Sequence, residues 1–151
     1  MAKIDAFFNL MMEVGASDLH LASGSQPIVR VRGEMERINH PPLENDALKG
    51  MLYEIAPEYK VKVFEETGDV DFGYEIPGMA RFRANFFNQK YGVAAVFRQI
   101  PSTILTTEQL GLPPIMKKFA ELHKGLVLVT GPTGSGKSTT LAASMDYATK
   151  T

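Results

Sequence analysis

GLVLVTGPTGSGKS, residues 125–138, runs four apolar residues into a glycine-rich turn that closes on a lysine and a serine. The run Leu126, Val127, Leu128, Val129 is continuous rather than alternating, which predicts a strand buried on both faces, as in parallel α/β sheets. The turn matches G-x-x-x-x-G-K-[ST], the phosphate-binding loop. Its glycines let backbone N–H groups approach phosphate oxygens with no Cβ in the way. Lys137 supplies a point charge for β- and γ-phosphates, and the Ser138 hydroxyl is a ligand for Mg2+. Residues 139–147 are helix-compatible, with Leu141, Ala142, Met145 and Ala148 spaced for packing. A bound triphosphate would therefore meet a helix N-terminus, where the dipole and unpaired N–H groups favour anions. The nucleotide set is Gly131, Pro132, Thr133, Gly134, Ser135, Gly136, Lys137, Ser138 and Thr139, with ATP and Mg2+ as the implied cofactors. A chance match to the four fixed positions should occur in well under ~1% of chains of this length.

Downstream of Ser138 there is no second strand ending in Asp to hold Mg2+ and no carboxylate to orient an attacking water. The sequence is therefore expected to be cut inside a nucleotide-binding domain, with residues 125–151 weakly held and the 151-residue chain inactive by itself. Upstream, Pro101, Gly111, Pro113 and Pro114 in a Ser/Thr-rich stretch predict a linker over 101–113. A short helix over 114–122 would present Ile115, Met116, Phe119 and Leu122.

Residues 1–100 read differently. Ile4, Phe7, Phe8, Met11 and Val14 form one helical stripe that stops at Gly15. Residues 17–21 alternate as a short strand, and 26–38 read as two strands around a turn at Gly33-Glu34. Val29 and Val31 then share one face, Arg30 and Arg32 the other. Leu43, Ala47, Leu48, Met51, Leu52 and Ile55 predict a second helix ending before Pro57; a third, over 58–66, is closed by Gly68. DVDFGYEI (69–76) alternates strictly, followed by a strand with Ala80, Phe82, Ala84 and Phe86 on one face and Arg81, Arg83 and Asn85 on the other. A third strand from Gly92 carries Arg98. Hairpin-linked strands with intervening helices predict an α+β domain: a mostly antiparallel sheet with helices on one face.

Composition narrows the function classes. Hydrophobic residues are 44% and charged residues 22%, which is globular composition. A net charge of −1 gives no electrostatic footprint for nucleic acid. No apolar run approaches the roughly 20 residues of a bilayer span. The N-terminus, with Asp5 and Glu13, does not read as a signal peptide. The absence of cysteine excludes a disulfide scaffold and a zinc–cysteine site, which suits the cytoplasm. His20, His40 and His123 show no metal spacing. Met11, Met51, Met116 and Met145 read as gap-fillers at helical core spacing. Glu65, Glu66, Asp69 and Asp71 form an acidic cluster, read as solvated surface, with a basic groove on a neighbouring subunit as the alternative.

Taken together, SDLHL, ARFRANFFNQ, GVAAVFR, the IPS…LTTEQLGLPP segment and GLVLVTGPTGSGKSTTLAA resemble the secretion-ATPase superfamily, over essentially the whole chain. Within it the sequence is most similar to the retraction motors of twitching motility. The resemblance implies a PAS-like N-terminal domain over 1–100, a linker over 101–113, and over 114–151 the first β–P-loop–α unit of a RecA-like α/β P-loop NTPase domain. It implies a cytoplasmic homo-hexameric ATPase, peripheral at the inner face of the cell membrane, that acts on a platform protein at the pilus base to drive type IV pilus retraction. ATP would bind between the two domains. A domain beginning almost at Met1 is, in the family, more typical of retraction than of assembly motors. The resemblance also implies that Arg81, Arg83 and Arg98 reach toward the γ-phosphate and, with Lys137, serve catalysis. Read without it, these arginines are accounted for by a solvated strand face, because arginine is mostly exposed.

Other functions stay open on the residues alone. One is a non-enzymatic subunit-contact module; another is an assembly ATPase of the same superfamily. A small-molecule kinase fits less well, since such enzymes place the loop near the N-terminus.

Overall fold

Helices here begin and end where the sequence changes period. In a computed structural model that describes residues 2–101, 103–132 and 134–151, α1 (Asp5–Val14) ends at Gly15, whose φ of 67° no β-branched residue would adopt cheaply. Strands β1 (Ala16–Ala22), β2 (Ile28–Val31) and β3 (Glu34–Arg37) follow as a meander. Helices α2 (Asn45–Ile55) and α3 (Glu58–Thr67) intervene, and β4 (Asp69–Ile76), β5 (Ala80–Gln89) and β6 (Gly92–Ile100) form a second meander.

The two meanders join through their first and last strands. β6 returns to pair antiparallel with β1, giving one six-stranded sheet of order β3-β2-β1-β6-β5-β4. The expected antiparallel α+β arrangement is therefore present. Phe82, Ala84, Phe86 and Phe97 face the helices and are buried. Phe8 of α1 stacks on Phe82 at 4.5 Å between ring centroids and meets Phe97 edge-on at 4.9 Å. Phe64 of α3 meets Phe86, while Leu48 and Leu52 seat α2 in the same core. The opposite face of the sheet carries the arginines.

Two details differ from the sequence expectation. The β2–β3 turn is centred on Arg32 and Gly33, with φ of 50° and 87°, one residue earlier than predicted. The two-residue hairpin turn matches strand twist when both central residues have positive φ, so Arg32 leaves the strand face it was expected to share with Arg30. Leu43 is buried ahead of α2 rather than within it, because its segment forms a bridge with Ser23.

A polar latch holds the sheet centre to α2. Asn45 Oδ1 accepts the Val93 N–H at 2.9 Å, and the Ser23 hydroxyl donates to the Val93 carbonyl at 2.7 Å. Gly92, at φ 128°, lies so close that a Cβ there would sit 2.1 Å from Asn45 Oδ1. A second buried polar contact ties α1 to β4: the Tyr74 hydroxyl donates to Asp5 Oδ1 at 2.9 Å, and Asp5 is 6% exposed. Burial, together with the bond to Asp5, pushes the Tyr74 pKa up to about 12. Tyr74→Phe leaves a buried acceptor short of a donor and is expected to cost about 1–3 kcal/mol in chemical denaturation; a loss within measurement error would show that water replaces the hydroxyl at no cost.

The chain divides after Ile100 into two compact units, the second from Pro101 to Thr151. In the second unit α4 (Ile115–Ala120) packs on α5 (Lys137–Lys150), and the Tyr147 hydroxyl donates to Glu121 at 2.8 Å. Here the expectation of a strand over 126–129 is corrected. These residues adopt no strand, and Leu126 and Leu128 are 82% and 74% exposed. A strand buried on both faces needs hydrogen-bonded neighbours and covering layers, and no described segment pairs with it. For the same reason Ile115, Phe119, Leu122, Leu141 and Met145 are exposed instead of packed, so Met145 is not a gap-filler here.

Candidate functional site

The glycine-rich turn leads into α5 without a side-chain cap. Gly136 stands at the helix N-cap with φ 89°, and the helix begins at Lys137, two residues earlier than predicted. The N–H groups of Lys137, Ser138 and Thr139 occupy its first turn, where a helix offers them no internal acceptor. Gly131, at φ 153°, is packed so that a Cβ would sit 2.8 Å from Ser135 Oγ. That hydroxyl in turn donates to the Pro132 carbonyl at 2.7 Å. Lys137 Nζ curls back over the loop and donates to the carbonyls of Gly131 and, at 2.9 Å, Pro132. A depression of about 460 Å³ is lined by Gly134, Gly136, Lys137, Ser138 and Thr139. Thr133, also expected in the set, lies outside the described residues.

This arrangement suits a polyphosphate. An uncapped helix N-terminus, glycines that keep side chains out of the cradle and an ammonium at its rim all favour anionic oxygens. Ser138, in the first turn of α5, lines the depression. Among the described residues no cluster of three or more His, Asp or Glu could hold a metal. Mg2+ that arrives on nucleotide phosphates needs few protein ligands.

The other predicted residues lie in the first unit. On the open face of the sheet, strand pairing sets Arg30 beside Asp18, Asp18 beside Arg98, and Arg98 beside Arg83, in one lateral row across β2, β1, β6 and β5. Arg81 is two residues along β5, opposite Glu75. Arg83 and Arg98 are directly opposed and 71% and 72% exposed. Like charges opposite one another cost stability in a sheet. Asp71 lies 3.9 Å from Arg83, and Asp18 Oδ1 accepts the Arg98 Nε–H at 2.9 Å.

Sequence reading put Arg30 on a strand face and set aside Asp18 with His20 as too few for a catalytic set; it placed neither Asp18 nor Arg30 in the site. Asp18 is 4% exposed and is also 3.7 Å from Arg30 Nε, while the Ser17 hydroxyl donates to it at 2.6 Å. Burial pulls its pKa upward, but the Ser17 and Arg98 hydrogen bonds and the two guanidinium charges hold it below the usual carboxylate value. His20, next along this face of β1, is half-buried with Nε2 unpartnered among the described residues, and burial holds its pKa below the usual imidazole value. The signal available in the sequence was a charged residue inside the 17–21 alternation. Its partner lies 80 residues away and could not be named from spacing.

The sequence profile of the type II/IV secretion system protein family matches residues 1–151. The chain belongs to that family. Among its relatives, the type IV pilus retractation ATPase PilT of Pseudomonas aeruginosa is 54% identical over 137 residues, covering 91% of this chain and 40% of the relative. A twitching motility protein of Neisseria gonorrhoeae is 49% identical over 125 residues, covering 83% of this chain and 33% of the relative. A crystal structure of the pilus retraction motor PilT with bound ADP superposes with a TM-score of 0.86 at 41% identity, covering 97% of this chain and 43% of that one. The chain thus spans 40% and 33% of the length of these two relatives and 43% of the solved structure.

Proposed function

We propose that this chain is the nucleotide-gripping part of a type IV pilus retraction ATPase, in which the 131–139 loop holds MgATP. The observation that carries the proposal is the glycine-lined, uncapped start of α5 with Lys137 poised over it. Identity of 54% to a retraction ATPase supports the choice of motor. In this reading the first unit is a PAS-like domain and the second the first β–P-loop–α unit of a RecA-like domain. Main-chain N–H groups of 136–139 bind phosphate oxygens, Lys137 lies against the β- and γ-phosphates, and Ser138 ligates Mg2+. Arg81, Arg83 and Arg98 meet the negative charge that develops on the γ-phosphate. The protein works as a cytoplasmic homo-hexamer at the inner face of the cell membrane, on a platform protein at the pilus base. Among the described residues no helix is long and apolar enough to cross a membrane.

Calorimetric titration of the complete gene product with ATP and Mg2+ tests the loop, and saturable binding of one nucleotide per protomer is expected. Absence of any binding heat, confirmed by equilibrium dialysis, removes the nucleotide reading and the motor with it. A strain lacking the gene should keep its surface pili and lose twitching; loss of the pili themselves would make this an assembly motor.

A further inference from the structure

We propose that Asp18 is a positioning residue that acts through Arg98: its buried carboxylate clamps the guanidinium by Nε so that both Nη groups stay available to an anionic ligand. This inference rests on the reading of Arg98 as a γ-phosphate contact.

Asp18 is 4% exposed on the open face of a sheet, where a carboxylate would ordinarily be solvated. Burying a charge is costly unless it is paired and hydrogen-bonded, and here three donors surround it. Ser17 Oγ and Arg98 Nε bond it at 2.6 and 2.9 Å, and Arg30 Nε lies 3.7 Å away. The two arginines are far more exposed than the acid that holds them, at 72% for Arg98 and 41% for Arg30. Guanidinium has five N–H donors in a fixed planar fork. Asp18 engages Nε–H, and among the described residues Arg98 has no other side-chain acceptor in hydrogen-bond range. The four Nη hydrogens are thus left for a ligand, and the plane of the fork is set by a carboxylate that is itself fixed at the centre of the sheet. A surface ion pair placed for stability contributes little. The directly opposed Arg83 makes the row worse for stability and better for anion recognition. Asp18 also offsets part of the Arg98–Arg83 repulsion.

The test is steady-state ATP hydrolysis by the complete gene product, native and with Arg98→Gln, Asp18→Asn and both. Arg98→Gln should lower kcat about a hundredfold. Asp18→Asn keeps the side-chain shape and should lower kcat about tenfold or more through misplacement of the fork, with KM for ATP within about twofold. In the Arg98→Gln background Asp18→Asn should produce no further loss, since it has no fork left to place. Unchanged kcat in Asp18→Asn, with Arg98→Gln impaired, overturns the positioning role and leaves the arginine reading intact. Equal losses in both backgrounds assign Asp18 to the fold alone and also overturn it. Unchanged kcat in Arg98→Gln removes the arginine reading and this inference together.

The unaltered chain supplies a readout that needs no variant. In its arginine side-chain NMR spectrum the Arg98 Nε–H should exchange with water at least about tenfold more slowly than that of an unpaired arginine. Exchange at the free-arginine rate means no clamp exists, whatever the kinetics of the variants.

Discussion

Lys137→Ala is expected to lower the ATP turnover of the complete gene product by at least about a hundredfold at saturating MgATP. Removing one preorganised donor from developing transition-state charge costs about 10²–10³ in kcat, and an ammonium against phosphate is a stronger donor than a neutral one. On the proposed reading the lysine has two tasks. It lies in the first turn of α5, next to the backbone N–H groups, and it already reaches the carbonyls of Gly131 and Pro132. Phosphate oxygens would take the place of those carbonyl oxygens as its acceptors. Lys137→Gln keeps a donor able to reach those carbonyls but lacks the charge. If Lys137→Gln falls as far as Lys137→Ala, charge rather than loop bracing is the lost function. Turnover within about twofold of native in either variant would remove Lys137 from the site.

Phe8→Ala carries the largest expected stability effect. Phe8 is fully buried, with ring centroids 4.5, 4.9 and 5.5 Å from Phe82, Phe97 and Tyr74. It is the ring through which α1 contacts both β5 and β6. Truncating such a residue removes its transfer energy and leaves a cavity that flanking rings fill only in part, at about 3–5 kcal/mol. A domain near 100 residues has about 5–15 kcal/mol in all, so the first unit should melt some 15–30 °C lower. Circular dichroism melts of the native chain and the variant measure this. A loss below about 1 kcal/mol would mean that the ring cluster rearranges to close the gap.

Much of the first unit was legible in the sequence because its elements repeat their burial pattern locally. DVDFGYEI alternates and forms β4 over the same residues. The stripe through Phe8 and Met11 forms α1, and Gly15 and Gly68 end α1 and α3 in the left-handed conformation. Where the reading slipped, a longer-range or finer geometric demand decided. The twist of a tight hairpin moved the turn to Arg32 and Gly33. A bridge to Ser23 drew Leu43 out of α2. The apolar run at 126–129 was read as a strand and forms none, since strand geometry belongs to the pair and not to the segment.

The proposed phosphate loop consists of consecutive residues: glycines that permit the backbone turn, and a lysine and serine at the helix start. Order along the chain was therefore enough to propose it. The arginine row follows a different physics. Arg30, Asp18, Arg98 and Arg83 come from four strands and become neighbours only because β6 returns across the sheet to pair with β1. Local spacing carries dihedral preference and burial period, both short-range; a lateral row across a sheet is set by register between distant segments, and only the folded chain specifies it.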